Sequence, residues 1–315
     1  MTPGSTETAL TTVDGSPVRF RAVGHGRPLL LVHGLGGSWR WWSPLFHALA
    51  RTRRLYAIDL PRACRSLDHE QMGAWLVRLL DSIGLGRVDV AGHSLGGYVA
   101  ANLAADHPDR VGRLTLLAPA GVPCGRGLPG LALHLPNALQ SVVPWLPMLL
   151  GDTLRTGVSP LVRGGLFASQ CDLRHKLPSV QAPTLLLWGE RDGLVPIRLA
   201  DEWQRVLPSA QLVRLACGHV PMLEAPAAVA ASMLAFLGKE PDETCDELRP
   251  RVVDDVGRRR NHDQTAEREE CRNLLGPVAA DEAVRLAVDD ERPLLDEREP
   301  VLHPVLDRGA RDREQ

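Results

Sequence analysis

Val90-Ala91-Gly92-His93-Ser94-Leu95-Gly96-Gly97 places a Gly-x-Ser-x-Gly pentapeptide directly behind a strand-like run from Arg87 to Val90. A serine presented at a sharp strand-to-helix turn adopts strained backbone angles, so the positions two before and two after it must be nearly without side chain. Gly92 and Gly96 meet that need. The segment that follows, Gly96 to Asp106, reads as a helix whose first amides point at the same spot, where they can stabilise developing negative charge. Taken alone, the pentapeptide also fits a Gly/Ser turn without chemistry. Its surroundings decide between the two.

Upstream, Pro28-Leu29-Leu30-Leu31-Val32 runs into His33-Gly34-Leu35-Gly36-Gly37. Five apolar positions followed by a glycine-rich turn read as a buried parallel strand ending in a tight loop. Acyl transfer needs two backbone donors aimed at a carbonyl oxygen as it becomes an oxyanion, and such a loop can bring a free amide close to the serine. The amides of Leu35 and Leu95 are the candidates, while His33 reads as a brace for the loop. Downstream, Thr184-Leu185-Leu186-Leu187-Trp188 ends in Gly189-Glu190-Arg191-Asp192, and a short strand from Gln211 to Leu215 closes in Ala216-Cys217-Gly218-His219. An acid at the end of a late strand can orient an imidazole. His219 follows Asp192 by 27 positions, room for one helix and one strand, so both can end at the same sheet edge.

From about Ala9 to Lys239 the chain resembles the α/β-hydrolase superfamily, and specifically its single-domain esterase, lipase and meta-cleavage hydrolase-like branch. The resemblance rests on Val32-His33-Gly34-Leu35-Gly36-Gly37, Gly92-His93-Ser94-Leu95-Gly96-Gly97, Gly189-Glu190-Arg191-Asp192 and Gly218-His219, in the order serine, acid, histidine. It implies Ser94 as nucleophile, His219 as general base and then acid, and Asp192 as the residue that holds the imidazole. The presence of Ser94, where the dehalogenases and epoxide hydrolases of the family carry an aspartate, excludes their covalent chemistry. Some relatives place the acid after the sixth strand, but Gly112 to Leu117 and the following Ala118-Pro119-Ala120-Gly121 contain no carboxylate. Glu190 is then the alternative to Asp192, with a turn or capping role as its bland reading. One departure is the stretch Asp59-Leu60-Pro61-Arg62-Ala63-Cys64-Arg65-Ser66, where relatives carry two glycines absent here. It changes the expected shape of one side of the pocket and leaves the triad untouched.

The expected fold is α/β, a mostly parallel central sheet with helices on both faces and a small helical cap at about 121–180. With 315 residues of which 44% are hydrophobic, the chain can bury one large core. Between Gly121 and about Val180 the strand-helix alternation gives way to Leu, Pro and Gly, including Val142-Val143-Pro144-Trp145-Leu146. In the family an insertion here forms a cap over the nucleophile, and its apolar character suits an acyl chain or ring. Most of these residues pack the cap onto the core. Trp145 is taken as a substrate contact. Of Trp39, Trp41 and Trp42, which cannot all face inward, Trp39 is assigned to the pocket wall.

The six cysteines are widely spaced with no Cys-x-x-Cys, so reduced thiols are expected and no metal or organic cofactor is implied. No apolar stretch reaches membrane-span length, and the N-terminus does not read as a signal peptide. A soluble cytoplasmic protein is expected. After position 238 the composition changes: 14 Lys+Arg face 22 Asp+Glu, a net of −8, whereas residues 1–238 carry +6 and the whole chain −2. Residues 1–239 are therefore read as the catalytic domain and 240–315 as a charged, low-order tail, with Leu274 to Leu286 as its most apolar segment. Arg258-Arg259-Arg260 lies in acidic surroundings and does not argue for nucleic acid. The expected partner is a small, largely apolar ester cleaved through an acyl-enzyme; oligomeric state is left open. Carbon-carbon hydrolysis of a vinylogous diketone or perhydrolysis on the same triad are the enzymatic alternatives, and a non-catalytic small-molecule binder is the alternative of another class.

Overall fold

The computed structural model describes residues 7–60, 71–125, 143–207 and 209–238. Eight strands form one sheet: β1 (Glu7–Val13), β2 (Ser16–Gly24), β3 (Arg27–Val32), β4 (Arg53–Ile58), β5 (Val88–His93), β6 (Val111–Leu117), β7 (Thr184–Gly189) and β8 (Gln211–Leu215). Their spatial order is β1-β2-β4-β3-β5-β6-β7-β8. Pairs β1·β2 and β2·β4 are antiparallel, and every pair from β4·β3 to β7·β8 is parallel. The sheet is thus mostly parallel, as the apolar strand runs predict.

The sequence reading did not identify the first hairpin. Val13 pairs with Ser16 across Asp14-Gly15, both with positive φ (49° and 74°), the backbone that two-residue hairpin turns require. The polar, threonine-rich β1 lies at the sheet edge and lacks the continuous apolar run that marks the central strands.

The helices are α1 (Ser43–Leu49), α2 (Met72–Ser82), α3 (Leu95–Asp106), α4 (Leu146–Thr156), α5 (Val158–Gln170), α6 (Arg198–Val206), α7 (Pro221–Glu224) and α8 (Pro226–Leu237). The last helix, α8, is preceded by the short α7, the two meeting at Ala225, and each is opened by a proline at its first turn, where a missing amide hydrogen costs nothing. Successive residues of β3 bury on opposite faces. Leu30 and Val32 join the core beneath α2, α3 and α6, and Leu29 and Leu31 join the core beneath α1, α7 and α8. Both faces are therefore covered, and the ends of β3, β5, β7 and β8 open at one edge. Helices α4 and α5 fall within the expected cap.

Residues 61–66 of the atypical loop, 126–142 of the cap, and everything from Lys239 on, including Arg258-Arg259-Arg260 and Leu274 to Leu286, lie outside the described residues. Among the described residues no helix is long and apolar enough to cross a membrane. Cys124, Cys171 and Cys217 are buried free thiols. Burial pushes the last two up to about 12, which keeps them protonated near neutrality.

Candidate active site

Ser94 stands between β5 and α3 with φ 51° and ψ −117°. A non-glycine residue in that region carries roughly 1–3 kcal/mol of strain, which the surrounding structure must hold. The Ser94 amide donates to Leu117 O at 2.9 Å, and Ser94 O accepts from Gly97, Tyr98 and Ala120 amides at 2.9, 3.1 and 3.0 Å. The need for glycine around it is steric. A Cβ on Gly96 would overlap the carbonyls of Val32 and His33, and one on Gly92 would stand 2.8 Å from Gly97 Cα.

His219 Nε2 is 3.1 Å from Ser94 Oγ, and its Nδ1 is 2.8 Å from Asp192 Oδ2. The carboxylate can only accept, so Nδ1 carries the hydrogen and Nε2 turns its lone pair to the serine hydroxyl. Asp192 Oδ1 accepts from the Leu194 and Val195 amides, both at 2.8 Å. The carboxylate is thereby fixed from its far side. Burial lowers the His219 pKa, but the Asp192 charge and hydrogen bond, with a smaller contribution from Glu224, outweigh it and raise the pKa above the ordinary histidine value. An imidazole so held can take the proton of the hydroxyl and return it. Glu190 is exposed, and its amide donates to Leu215 O at 2.9 Å.

Leu95 opens α3, so its amide has no acceptor within the helix. The turn Gly34-Leu35-Gly36-Gly37 is closed by Gly37 N donating to Gly34 O at 3.1 Å, and among the described residues the Leu35 amide has no backbone acceptor. The loop comes close to the serine: a Cβ on Gly34 would stand 3.2 Å from Ser94 Cβ. His33 braces it, with Nδ1 donating to Gly34 O at 2.7 Å and Nε2 accepting from the Leu60 amide at 3.0 Å.

Ser94 and His219 lie on the wall of a cavity of about 510 Å³ whose other walls include Leu35, Leu146, Leu149, Leu161, Leu194 and Val195. Its tryptophan is Trp41; Trp39 and Trp145 are not on the wall. The Trp39 ring stacks on Phe46, with the Arg21 guanidinium 4.5 Å from its centroid, and Trp145 Nε1 donates to Leu223 O at 3.2 Å. The two tryptophans expected as substrate contacts thus make their described contacts away from this wall. Adjacent residues of a 3-10 turn diverge, and which one points inward depends on neighbours remote in sequence, here His93, whose ring centroid is 5.7 Å from that of Trp41.

Two further residues of the site were given no role from sequence. His93 Nε2 donates to His219 O at 2.8 Å, and burial, with the nearby His219, holds its pKa well below the ordinary value, so it stays neutral. Glu224 accepts from the amides on either side of His219, Gly218 at 2.6 Å and Val220 at 2.9 Å. A Glu two residues beyond Gly-His-Val-Pro-Met would signal this only to a reader who already knew that a short helix turns back there.

The sequence pattern of the Alpha/beta hydrolase family matches residues 29–232. The chain is 35% identical over 258 residues to the dihydrolipoyllysine-residue acetyltransferase component of the acetoin cleaving system of Pseudomonas putida, covering 72% of this chain and 68% of that protein. It is 30% identical over 243 residues to a pimeloyl-[acyl-carrier protein] methyl ester esterase of Nitrosomonas europaea, covering 66% of this chain and 95% of that one. Among solved structures it is similar to a membrane phospholipase A described as a bacterial virulence factor, at 27% identity and a TM-score of 0.60, over 74% of this chain and 86% of that chain.

Proposed function

The chain belongs to the alpha/beta hydrolase family, and from that premise we propose that it is a serine hydrolase cleaving a carboxylic ester of a small, largely apolar substrate. The observation that carries this reading is the continuous relay from Asp192 through His219 to Ser94, opening into an apolar cavity. In the proposed cycle His219 removes the Ser94 proton as Oγ attacks the ester carbonyl, and the Leu35 and Leu95 amides receive the oxyanion. Collapse breaks the bond to the alcohol oxygen, which leaves with the proton from His219. Water then enters, gives its proton to His219 and attacks the acyl-enzyme; the second collapse releases the acid and returns the proton to Ser94.

Ester cleavage is favoured over hydrolysis of a dienoate because the described residues on the cavity wall include no Lys or Arg to meet a substrate carboxylate. Both relatives, an acetyltransferase component and a methyl ester esterase, are named for acyl chemistry, which supports the same class. Residues 1–239 form the catalytic unit in this proposal. The test is a fluorophosphonate probe, which needs an activated serine but no knowledge of the substrate: the parent labels at Ser94 and Ser94→Ala does not. A parent that resists the probe while hydrolysing esters would falsify the assignment of the nucleophile.

A further inference from the structure

A buried carboxylate that acyl transfer does not use joins the cap to the loop after β3. Asp152, on α4, is 3% exposed. Its Oδ2 accepts from the Ser38 hydroxyl at 2.6 Å, and its Oδ1 lies 2.9 Å from Arg155 Nη1 and 3.6 Å from Arg40 Nη1. Ser38 Oγ in turn accepts from the Arg40 amide at 3.3 Å, capping the 3-10 turn Trp39–Trp42. Helix α5 adds two contacts. A Cβ on Gly164 would stand 2.6 Å from Leu35 Cδ1, and one on Gly36 would stand 2.9 Å from Leu161 Cδ2. The segment from Gly34 to Ser38 is therefore held between Ser94 on one side and the cap on the other.

A carboxylate that served the cap alone would be satisfied within it, as Oδ1 is by Arg155 three residues on. Oδ2 instead reaches a residue 114 positions earlier in the chain. A short hydrogen bond to a buried charge is among the stronger kinds, and its geometry is correspondingly fixed. We infer that Asp152 is a positioning residue for the oxyanion loop: by holding Ser38 it sets where the Leu35 amide stands relative to Ser94. Leu149 and Thr153, on the same helix, line the cavity. An acyl chain filling the cavity thus bears on the helix that fixes the oxyanion donor, which ties recognition of the chain to turnover. This inference rests on the proposed role of the Leu35 amide.

The experiment measures kcat and KM for the parent, Asp152→Asn and Ser38→Ala on p-nitrophenyl acetate and p-nitrophenyl hexanoate, with Ser94→Ala as the control for serine dependence. Both variants are expected to lose roughly ten- to a hundredfold in kcat on both esters, as a misplaced catalytic group does, with KM changed by less than about threefold. The double variant should lose little more than the worse single, because both act on one hydrogen bond, Ser38→Ala by deleting its donor and Asp152→Asn by removing the charge of its acceptor. If the variants keep kcat on acetate within about twofold and only KM for hexanoate rises, Asp152 merely closes the cap and the inference is overturned. Should Asp152→Asn fail to fold by circular dichroism, Ser38→Ala, which deletes one hydroxyl, decides by the same criteria. Ser94→Ala at the parent rate overturns the acyl-transfer reading and this one with it. A Ser94-dependent parent with unaffected Asp152→Asn and Ser38→Ala overturns this inference alone.

Discussion

His219 sits under opposed influences, and the balance between them sets a measurable pH profile. Burial favours the neutral ring, but Asp192 favours the imidazolium more strongly, so the folded pKa lies above the ordinary histidine value of about 6.5. Only the neutral ring accepts the Ser94 proton. The kcat/KM for an uncharged ester should therefore rise with pH through a single transition above that value, and a flat profile from pH 5 to 9 under rate-limiting chemistry would contradict it. The sign for stability is opposite. A raised folded pKa contributes stability that is fully present below the unfolded pKa and is lost as pH rises through the folded one. Ser94→Ala should cost about 10^4-fold or more in turnover while leaving the fold intact, since it removes one oxygen. Asp192→Asn should cost far more than Glu190→Gln, because Asp192 contacts the imidazole and Glu190 faces solvent. The reverse ranking in steady-state kinetics would transfer the orienting role to Glu190.

At the scale of elements, the histidine loop is held by the short helix that follows it. Both carboxylate oxygens of Glu224, at the end of α7, accept amides flanking His219. Glu224→Ala should lower kcat by roughly tenfold or more through loss of this clamp, and should also move the acid limb of the profile to lower pH, since Glu224 helps raise the His219 pKa. A variant with reduced kcat and an unmoved limb would limit Glu224 to a mechanical role. Strands β3 and β7 were legible in sequence because they are buried on both faces and so read as apolar runs, whereas β5, interrupted by Asp89, was legible through the Gly-x-Ser-x-Gly pattern that follows it. The Ser94, Asp192 and His219 positions were legible because each follows the end of a strand, in the order serine, acid, histidine. What was not legible depends on side chains meeting across the fold. The braces His93 and Glu224, the link from Asp152 to Ser38, and the choice of Trp41 over Trp39 all join segments with no shared periodicity. The β1·β2 hairpin was missed because an edge strand with a polar face leaves only a weak alternation in the sequence.

On the scale of the molecule, the described residues form one covered sheet whose last helix is α8. Among the described residues, helices cover both faces of the eight-stranded sheet, and the last carbonyl of α8, Leu237 O, accepts from the Arg53 guanidinium and from Arg113 Nη1 at 3.2 Å. Cations at a helix C-terminus satisfy orphan carbonyls and oppose fraying, so the chain is anchored at that point. Val229, Met233 and Phe236 of the same helix are buried in the core that also contains Leu29, Leu31 and Leu187. Every residue of the proposed mechanism lies between Leu35 and Glu224. Ending the chain after Lys239 should therefore leave a folded hydrolase, with a melting temperature within about 4 °C of the full chain and turnover within about threefold. Thermal melts and steady-state kinetics on the two chains check this. If the shortened chain is insoluble or inactive, residues beyond Lys239 cover apolar surface or support the site, and the boundary of the catalytic unit must be moved toward the C-terminus.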